Sequence, residues 1–386
     1  MFIERAIARL DELPVPRRAL AVNALARSLV HSGLSVEDYS RVEHALIRVL
    51  DDPSDIVRHA VSTALAGEET APRSLVHLLA NDRFFVAAPI LKHSPVLTCA
   101  QLVDLVALGG EDVQAAIAAR PWVSVSVAAA IGEIGGLEAC LALLSNANAD
   151  ILEDTLRRIA SRFGKNARMR ETLLAWSDLP IDIRHDLMTD VAEALRGLVA
   201  GRNWMGEKRI DAVFGDATEK AVLKLFEEQS PENAVALVRH LYDTDRLTPK
   251  LLVRAAVTGN IIVLEAGLSV LSGQPQSRVF GMLMHGSAGT LKALLKRAGV
   301  GNSVAPLIVT SIEVYRQLVR ETLTDDYRKL RRTMIERVMT RYETMPEAEA
   351  DRILALLHRY AADAARDEAR RAGHALPAPS RLQIAA

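Results

Sequence analysis

The chain has 386 residues, of which 49% are hydrophobic and 25% charged, and its 47 basic side chains nearly cancel 48 acidic ones for a formal net charge of −1. Such a balance belongs to a protein with a large buried core, whereas a chain that tracks nucleic acid along its whole length is more basic. The length suits two or three ordinary domains or one continuous solenoid.

Aromatic residues make up only 4%, so Leu, Val, Ile and Ala do the packing, which favours helices stacked at close range. The start Met1-Phe2-Ile3-Glu4-Arg5 is too charged for a secretory h-region. No stretch of about 18 residues is apolar and uncharged enough to span a bilayer, and the cytoplasm is the expected compartment. Ser35, preceded by Leu34, reads as the N-cap of a helix with Glu37 and Asp38 in its first turn. Asp52-Pro53-Ser54-Asp55 then opens a helix whose apolar face is Val57, Ala60, Val61, Ala64 and Leu65. This is the inner-helix start of a HEAT-type unit, a pair of antiparallel helices that buries its faces only against neighbouring pairs. Thr98, after Leu97, caps a helix carrying Leu102, Val103 and Val106 that Gly109-Gly110 ends.

Cys99 and Cys140 each sit beside an alanine in an expected helix and read as two buried thiols; a disulfide or metal site needs more sulfur or better spacing. Val123-Ser124-Val125-Ser126-Val127 alternates briefly but runs into an Ala-rich helix, so no strand is expected. Asp182-Ile183-Arg184-His185 echoes Asp55-Ile56-Val57-Arg58-His59, and Ile183, Leu187, Val191 and Leu195 predict a buried i, i+4 stripe. Thr248-Pro249, after Leu247, opens another helix closed by Gly259.

The pattern Leu97-Thr98, Leu102-Val103, Gly109, Val113, Ala116 returns 150 residues later as Leu247-Thr248, Leu252-Val253, Gly259, Val263, Ala266, an interval that holds about five periods of roughly thirty residues. The fold class is therefore all-α, a HEAT/armadillo-like α-solenoid of stacked antiparallel helix pairs. The expected blocks are HEAT-like repeats over 1–175, a second helical repeat block over 176–320 after the break at Trp176-Ser177-Asp178-Leu179-Pro180, charged C-terminal helices over 321–372, and a disordered tail over 373–386.

Val86-Ala87-Ala88-Pro89-Ile90-Leu91, then Ser94-Pro95-Val96-Leu97-Thr98 and Leu102-Val103-Asp104-Leu105, resembles the DUF2336 family. The stretch from Leu247 through Ser272-Gly273-Gln274-Pro275 to Ala298-Gly299-Val300 is similar to that family's C-terminal part, and the resemblance covers most of residues 40 to 320. It implies an α-helical repeat protein of a family found mainly in alphaproteobacteria, one with no established activity and hence no catalytic residue to carry over.

Catalytic motifs are not found. Gly201-Arg202-Asn203-Trp204-Met205-Gly206-Glu207-Lys208 has the glycine spacing of a P-loop but puts Glu207 at the lysine position and follows a helix. No HExxH or G-x-S-x-G occurs, and His59 and His185, at equivalent repeat positions, read as structural. Trp122, Trp176 and Trp204 read as packing at repeat junctions rather than as base-stacking platforms. The expectation is a non-enzymatic protein with no cofactor, no metal and no catalytic set.

One charge feature carries a functional expectation. Arg157, Arg158, Arg162, Lys165, Arg168 and Arg170 fall within fourteen residues that include no acid. Part of the cluster follows from cations near the helix end at Gly164, and the remainder is a solvated or paired face or an anion-binding surface. The second basic region, Arg328 to Arg341, is interleaved with Glu336 and reads as an exposed helix laced with i, i+4 pairs. The leading functional expectation is a scaffold or adaptor that binds an acidic peptide or helix, with self-association left open. The alternatives are a nucleic-acid-binding HEAT-like protein of the DNA-glycosylase kind, or a small-molecule sensor.

Overall fold

A computed structural model describes residues 12–176, 178–202, 204–227, 231–321, 327–343 and 350–375. Among them the fold is all-α, with one isolated bridge between Val123 and Ala149. The chain forms two compact units, Met1–Asp190 and Val191–Ala386.

The first unit holds α1 (Val15–His31), α2 (Val36–Val49), α3 (Asp55–Leu65), α4 (Arg73–Ala80), α5 (Phe84–His93), α6 (Cys99–Leu108), α7 (Glu111–Ala118), α8 (Val125–Ile134), α9 (Leu137–Leu144), α10 (Glu153–Phe163), α11 (Ala167–Leu174) and the start of α12 (Ile181–Gly201). Each of α1 to α11 packs on a sequence neighbour and on a helix two places away. In one layer α1, α3, α5, α7, α9 and α11 stack in order; in the other α2 packs on α4, and α6, α8 and α10 stack. These are stacked helix pairs whose apolar faces close only against the next pair. Val57, Val61 and Leu65 are fully buried on α3, flanked by half-buried Ala60 and Ala64.

The local signals act as expected where they are local. The Ser35 hydroxyl accepts from the Asp38 amide at 3.2 Å, and Thr98 forms a full capping box with Gln101. Leu34, Leu97 and Leu247 all pack on the cores beside their caps. Thr98→Ala is expected to cost about 1 kcal/mol in urea unfolding of the first unit, the usual weight of a lost N-cap.

Pro89 inside α5 has a consequence two helices away. It has no N–H, so the Phe85 carbonyl one turn earlier loses its helical donor. Nδ1 of His59 lies 2.9 Å from that carbonyl, and the imidazole stacks on the Phe85 ring at 4.3 Å. Because a carbonyl only accepts, the proton sits on Nδ1. His59 is structural, repairing a neighbouring repeat rather than its own helix turn.

The second unit holds the rest of α12 and then α13 (Glu207–Glu227), α14 (Pro231–Asp243), α15 (Pro249–Val257), α16 (Ile261–Ser272), α17 (Gln276–His285), α18 (Ala288–Arg297), α19 (Ala305–Glu321), α20 (Tyr327–Glu343) and α21 (Ala350–Ala375). Stacking continues through α14, α16 and α18, while α15 packs against α13, α16, α19 and α20. Every residue from Leu251 to Val257 is buried, so α15 is the central helix, apolar all round but for Arg254. It leaves through Gly259 at φ +74, a left-handed exit that glycine takes without strain, and a Cβ there would lie 3.2 Å from Met334 Cγ.

Several expectations need correction. The buried stripe of α12 stops at Leu187: Val191 is half-buried and Leu195 is 52% exposed, because the helix carries on past the core of the first unit. Cys99 is exposed, since it is the first residue of α6, where side chains precede the packed turns; only Cys140 is buried, and burial pushes its thiol up to about 11. Trp122 and Trp204 are exposed, Trp122 donating to Asp150 at 3.1 Å; of the three tryptophans, Trp176 alone is half-buried at a junction, donating to the Leu144 carbonyl. The two 150-residue echoes agree at their Thr caps but not at their exits, where Gly109 is extended and Gly259 left-handed. The helix of Arg331 to Arg341 does pair Arg332 with Glu336 at i, i+4, yet it also buries Met334, Ile335 and Val338. Asp325, Asp326, the side chains of Arg328 and Lys329, and the tail from residue 376 lie outside the described residues.

Candidate functional site

The basic cluster runs from α10 through Gly164 into α11, and Gly164 caps α10 as its composition implies. Arg157 is paired with Asp182 and Glu153. Arg158 bonds Glu133 at 2.7 Å, and Arg168 bonds Glu138 at 2.8 and 3.1 Å. Arg162 donates to the Gly132 and Gly135 carbonyls, 2.7 Å each, and lies 4.7 Å from the Phe163 ring. Arg170 donates to the Lys165 carbonyl at 2.8 Å. Lys165 is exposed. The structure thus brings the six residues to one region and directs five of them to partners in this chain.

Arg162 belongs to a series. The last four carbonyls of a helix have no intrahelical donor, and the helix end carries roughly half a negative charge. Arg120 donates to Leu91 and Ser94 at the end of α5, Arg184 to Leu174 and Trp176 at the end of α11, and Arg316 to Met282, Leu283 and Gly286 at the end of α17. A guanidinium presents several N–H groups in a fixed fork, which suits clustered carbonyls. At α8 the carbonyl end is also tight: a Cβ on Gly135 would fall 2.5 Å from the Ile131 oxygen.

Beside these clamps the surface is apolar in register. Leu108 and Ile134 each immediately precede a Gly-Gly pair at the end of α6 and α8, and they are 87% and 47% exposed; Phe163, in the same place on α10, is half-buried against the core. The result is a ladder of apolar side chains on successive repeats, with Arg158 and Arg162 next to its last two rungs.

The second unit contains the other candidate, a cavity of about 370 Å³ between α13, α15, α19 and α21. Val253, Val304, Leu307, Ile353, Leu356 and Tyr360 supply its apolar wall, and Asp216, Glu219, Lys250 and Arg359 its charges. Beneath it Arg254, 1% exposed, bonds Asp216 at 2.9 Å and Asp363 at 2.8 Å and lies 4.7 Å from the Tyr360 ring. Lys220 joins Asp363 to Asp367, and Arg331 reaches Asp367 at 3.5 Å. Glu219 stands 3.9 Å from Arg254, beyond hydrogen-bond reach. Burial raises its pKa above the ordinary 4.5, against the pull of Lys250 and Arg254.

A carboxyl held above its unfolded pKa stabilises the fold only while protonated, so this contribution is present below about pH 4.5 and is lost as pH rises through the folded value. Glu219→Gln is therefore expected to raise the melting temperature at pH 7 and to leave it unchanged near pH 4, as thermal unfolding at the two pH values will report.

The family model described as an uncharacterised protein conserved in bacteria, DUF2336, matches residues 86–348. The chain belongs to the DUF2336 family. No curated protein and no solved structure matches it. The DUF2336 region begins at Val86, the start of the motif around Pro89, and takes in the basic cluster as well as Asp216, Glu219, Lys250 and Arg254. It stops before α21, so the cavity wall from Ile353 to Tyr360 lies beyond it.

Sequence reasoning on this DUF2336 protein missed the cavity and its ion network. One signal was present: Arg254 interrupts the run Leu251-Leu252-Val253-Arg254-Ala255-Ala256-Val257, and a guanidinium inside an all-apolar helix must find carboxylates or donor-less carbonyls. Which carboxylates it finds is not written locally, since Asp363 is 109 positions away.

Proposed function

We propose that this protein is a non-enzymatic interaction scaffold or adaptor, working in the cytoplasm, that docks an acidic amphipathic peptide or helix on the helix ends of its first unit. The observation that carries this reading is the exposure of Leu108 and Ile134 at equivalent places in successive repeats. An isolated exposed leucine needs no explanation, whereas apolar residues repeated on one edge offer anchors spaced for a partner helix.

The charges beside them support the same partner. Arg158 and Arg168 are exposed and paired with the exposed Glu133 and Glu138. Such pairs hold typically about 0–1 kcal/mol each, so an acidic partner exchanges for the internal glutamates at little cost. Arg162 keeps its carbonyls throughout, which fixes the ladder's geometry. Phosphate tracking would call for a strongly basic groove with stacking aromatics, whereas the formal net charge is −1 and aromatic residues make up only 4%.

Site-specific photo-crosslinking in the source bacterium tests this. A photoreactive phenylalanine analogue at Leu108 or Ile134 is expected to give one dominant protein adduct, and the same group at exposed Leu20 on α1 none. Arg158→Glu with Arg168→Glu is expected to abolish the adduct. Absence of adducts at both ladder positions removes the docking surface from consideration.

A further inference from the structure

The cavity of the second unit is independent of the ladder, and its chemistry points to a different occupant. At about 370 Å³ it falls within the size range of small-molecule sites. Four helices build it, two of them fixed to each other by the bonds from Arg254 on α15 to Asp363 on α21.

The charged groups that line it are not equivalent. Asp216 is already bonded to Arg254, and Arg359 is exposed 3.9 Å from Asp216. Lys250 is exposed as well, so both cations keep their water. Glu219 differs: it is half-buried, Arg254 at 3.9 Å is committed elsewhere at 2.8 and 2.9 Å, and Lys250, whose charge also pulls on it, is exposed. A carboxylate taken from water without a donor in return is unfavourable unless something entering the cavity supplies one.

We infer that this cavity binds a small amphipathic amine, with its ammonium donating to the Glu219 carboxylate and its hydrocarbon body lying against Val253, Val304, Leu307, Ile353 and Leu356. A charge-assisted N–H···O bond in a site of this kind is about twice as strong as a neutral one. An aliphatic or aryl-alkyl chain fills the apolar remainder. A carboxylate ligand is disfavoured because its head would meet Glu219 and Asp216, while the cations able to receive it stand in water.

Three probes sharing an eight-carbon chain separate the possibilities: octylamine, octanol and octanoate, titrated calorimetrically into the full chain at pH 7, each kept below its micelle concentration. Octylamine is expected to bind at least tenfold tighter than either of the others. Glu219→Gln, nearly isosteric, is expected to erase that preference while leaving octanol binding unchanged, and Leu307→Trp to remove binding of all three. Arg158→Glu, in the other unit, is expected to change none of these affinities, so failure here and failure of the docking surface are told apart. The inference is overturned if octanoate binds as tightly as octylamine, if the three probes bind alike, if Glu219→Gln keeps the amine preference, or if no probe binds. The ratio of octylamine to octanol affinity in Glu219→Gln reads the head group alone, so the test stands even where Leu307→Trp does not fold.

Discussion

Replacing Arg254 with methionine is expected to lower the stability of the second unit by about 3–5 kcal/mol, the cost of removing one partner from a buried ion pair. Asp363, 7% exposed, would keep only the Lys220 ammonium at 3.3 Å, and Asp216 would lose its 2.9 Å bond. Arg254→Lys is expected to rescue little, because one ammonium on a shorter stem does not span two carboxylates held on different helices. Arg254→Met combined with Asp363→Leu is expected to recover part of the loss, since it removes the more buried carboxylate together with its partner and leaves Asp216, 25% exposed at its side chain, to water. Urea unfolding of the three variants is the measurement. A single Arg254→Met variant within 1 kcal/mol of the parent protein would show that the network does not hold α15 to α21.

Arg120→Met is the second large effect, about 2–4 kcal/mol in the first unit. Arg120 is 8% exposed and donates at 2.6 and 2.5 Å to the Leu91 and Ser94 carbonyls. Burial lowers the pKa of its guanidinium from the ordinary value, and the negative end of the α5 dipole is what offsets that cost. Methionine fills the space but orphans both oxygens, at about 1–2 kcal/mol each. The matching change Arg162→Met is expected to cost about half as much, because Arg162 is more open and water can replace it. Equal losses from the two variants would mean that the clamps act through packing and not through their carbonyls.

The helix starts were legible because the chemistry of a cap is confined to three residues: Ser35 and Thr98 find their amides wherever the rest of the chain goes. The apolar face of α3 was legible for the same reason. The arginines were seen in the sequence and their partners were not, since the Arg162 side chain ends on oxygens 27 and 30 residues earlier that carry no sequence letter of their own. Any residue has a carbonyl; only the fold decides which are left without a donor. Leu195 was misplaced by the periodicity argument, which identifies an apolar face but not the point at which the neighbour covering it ends, and Cys99 by residue type, which does not say that the first residue of a helix stands ahead of its packed turns. The cavity was beyond reach on both counts, requiring four helices and a pair of residues 109 apart.

That last separation gives the two units different histories on the ribosome. In the first, side-chain bonds between repeats join residues 22 to 37 positions apart, so every segment meets all its partners within one further repeat of synthesis. At about 5–20 residues per second, it is able to consolidate pair by pair while translation proceeds. The second unit has no such option: α15 carries a buried cation whose carboxylate on α21 is made 109 residues later. Until α21 has left the exit tunnel, Arg254 on the most buried helix of that unit has Asp216 but lacks its second carboxylate, and a nascent chain stalled before Asp363 is expected to be digested by protease in its second half and protected in its first.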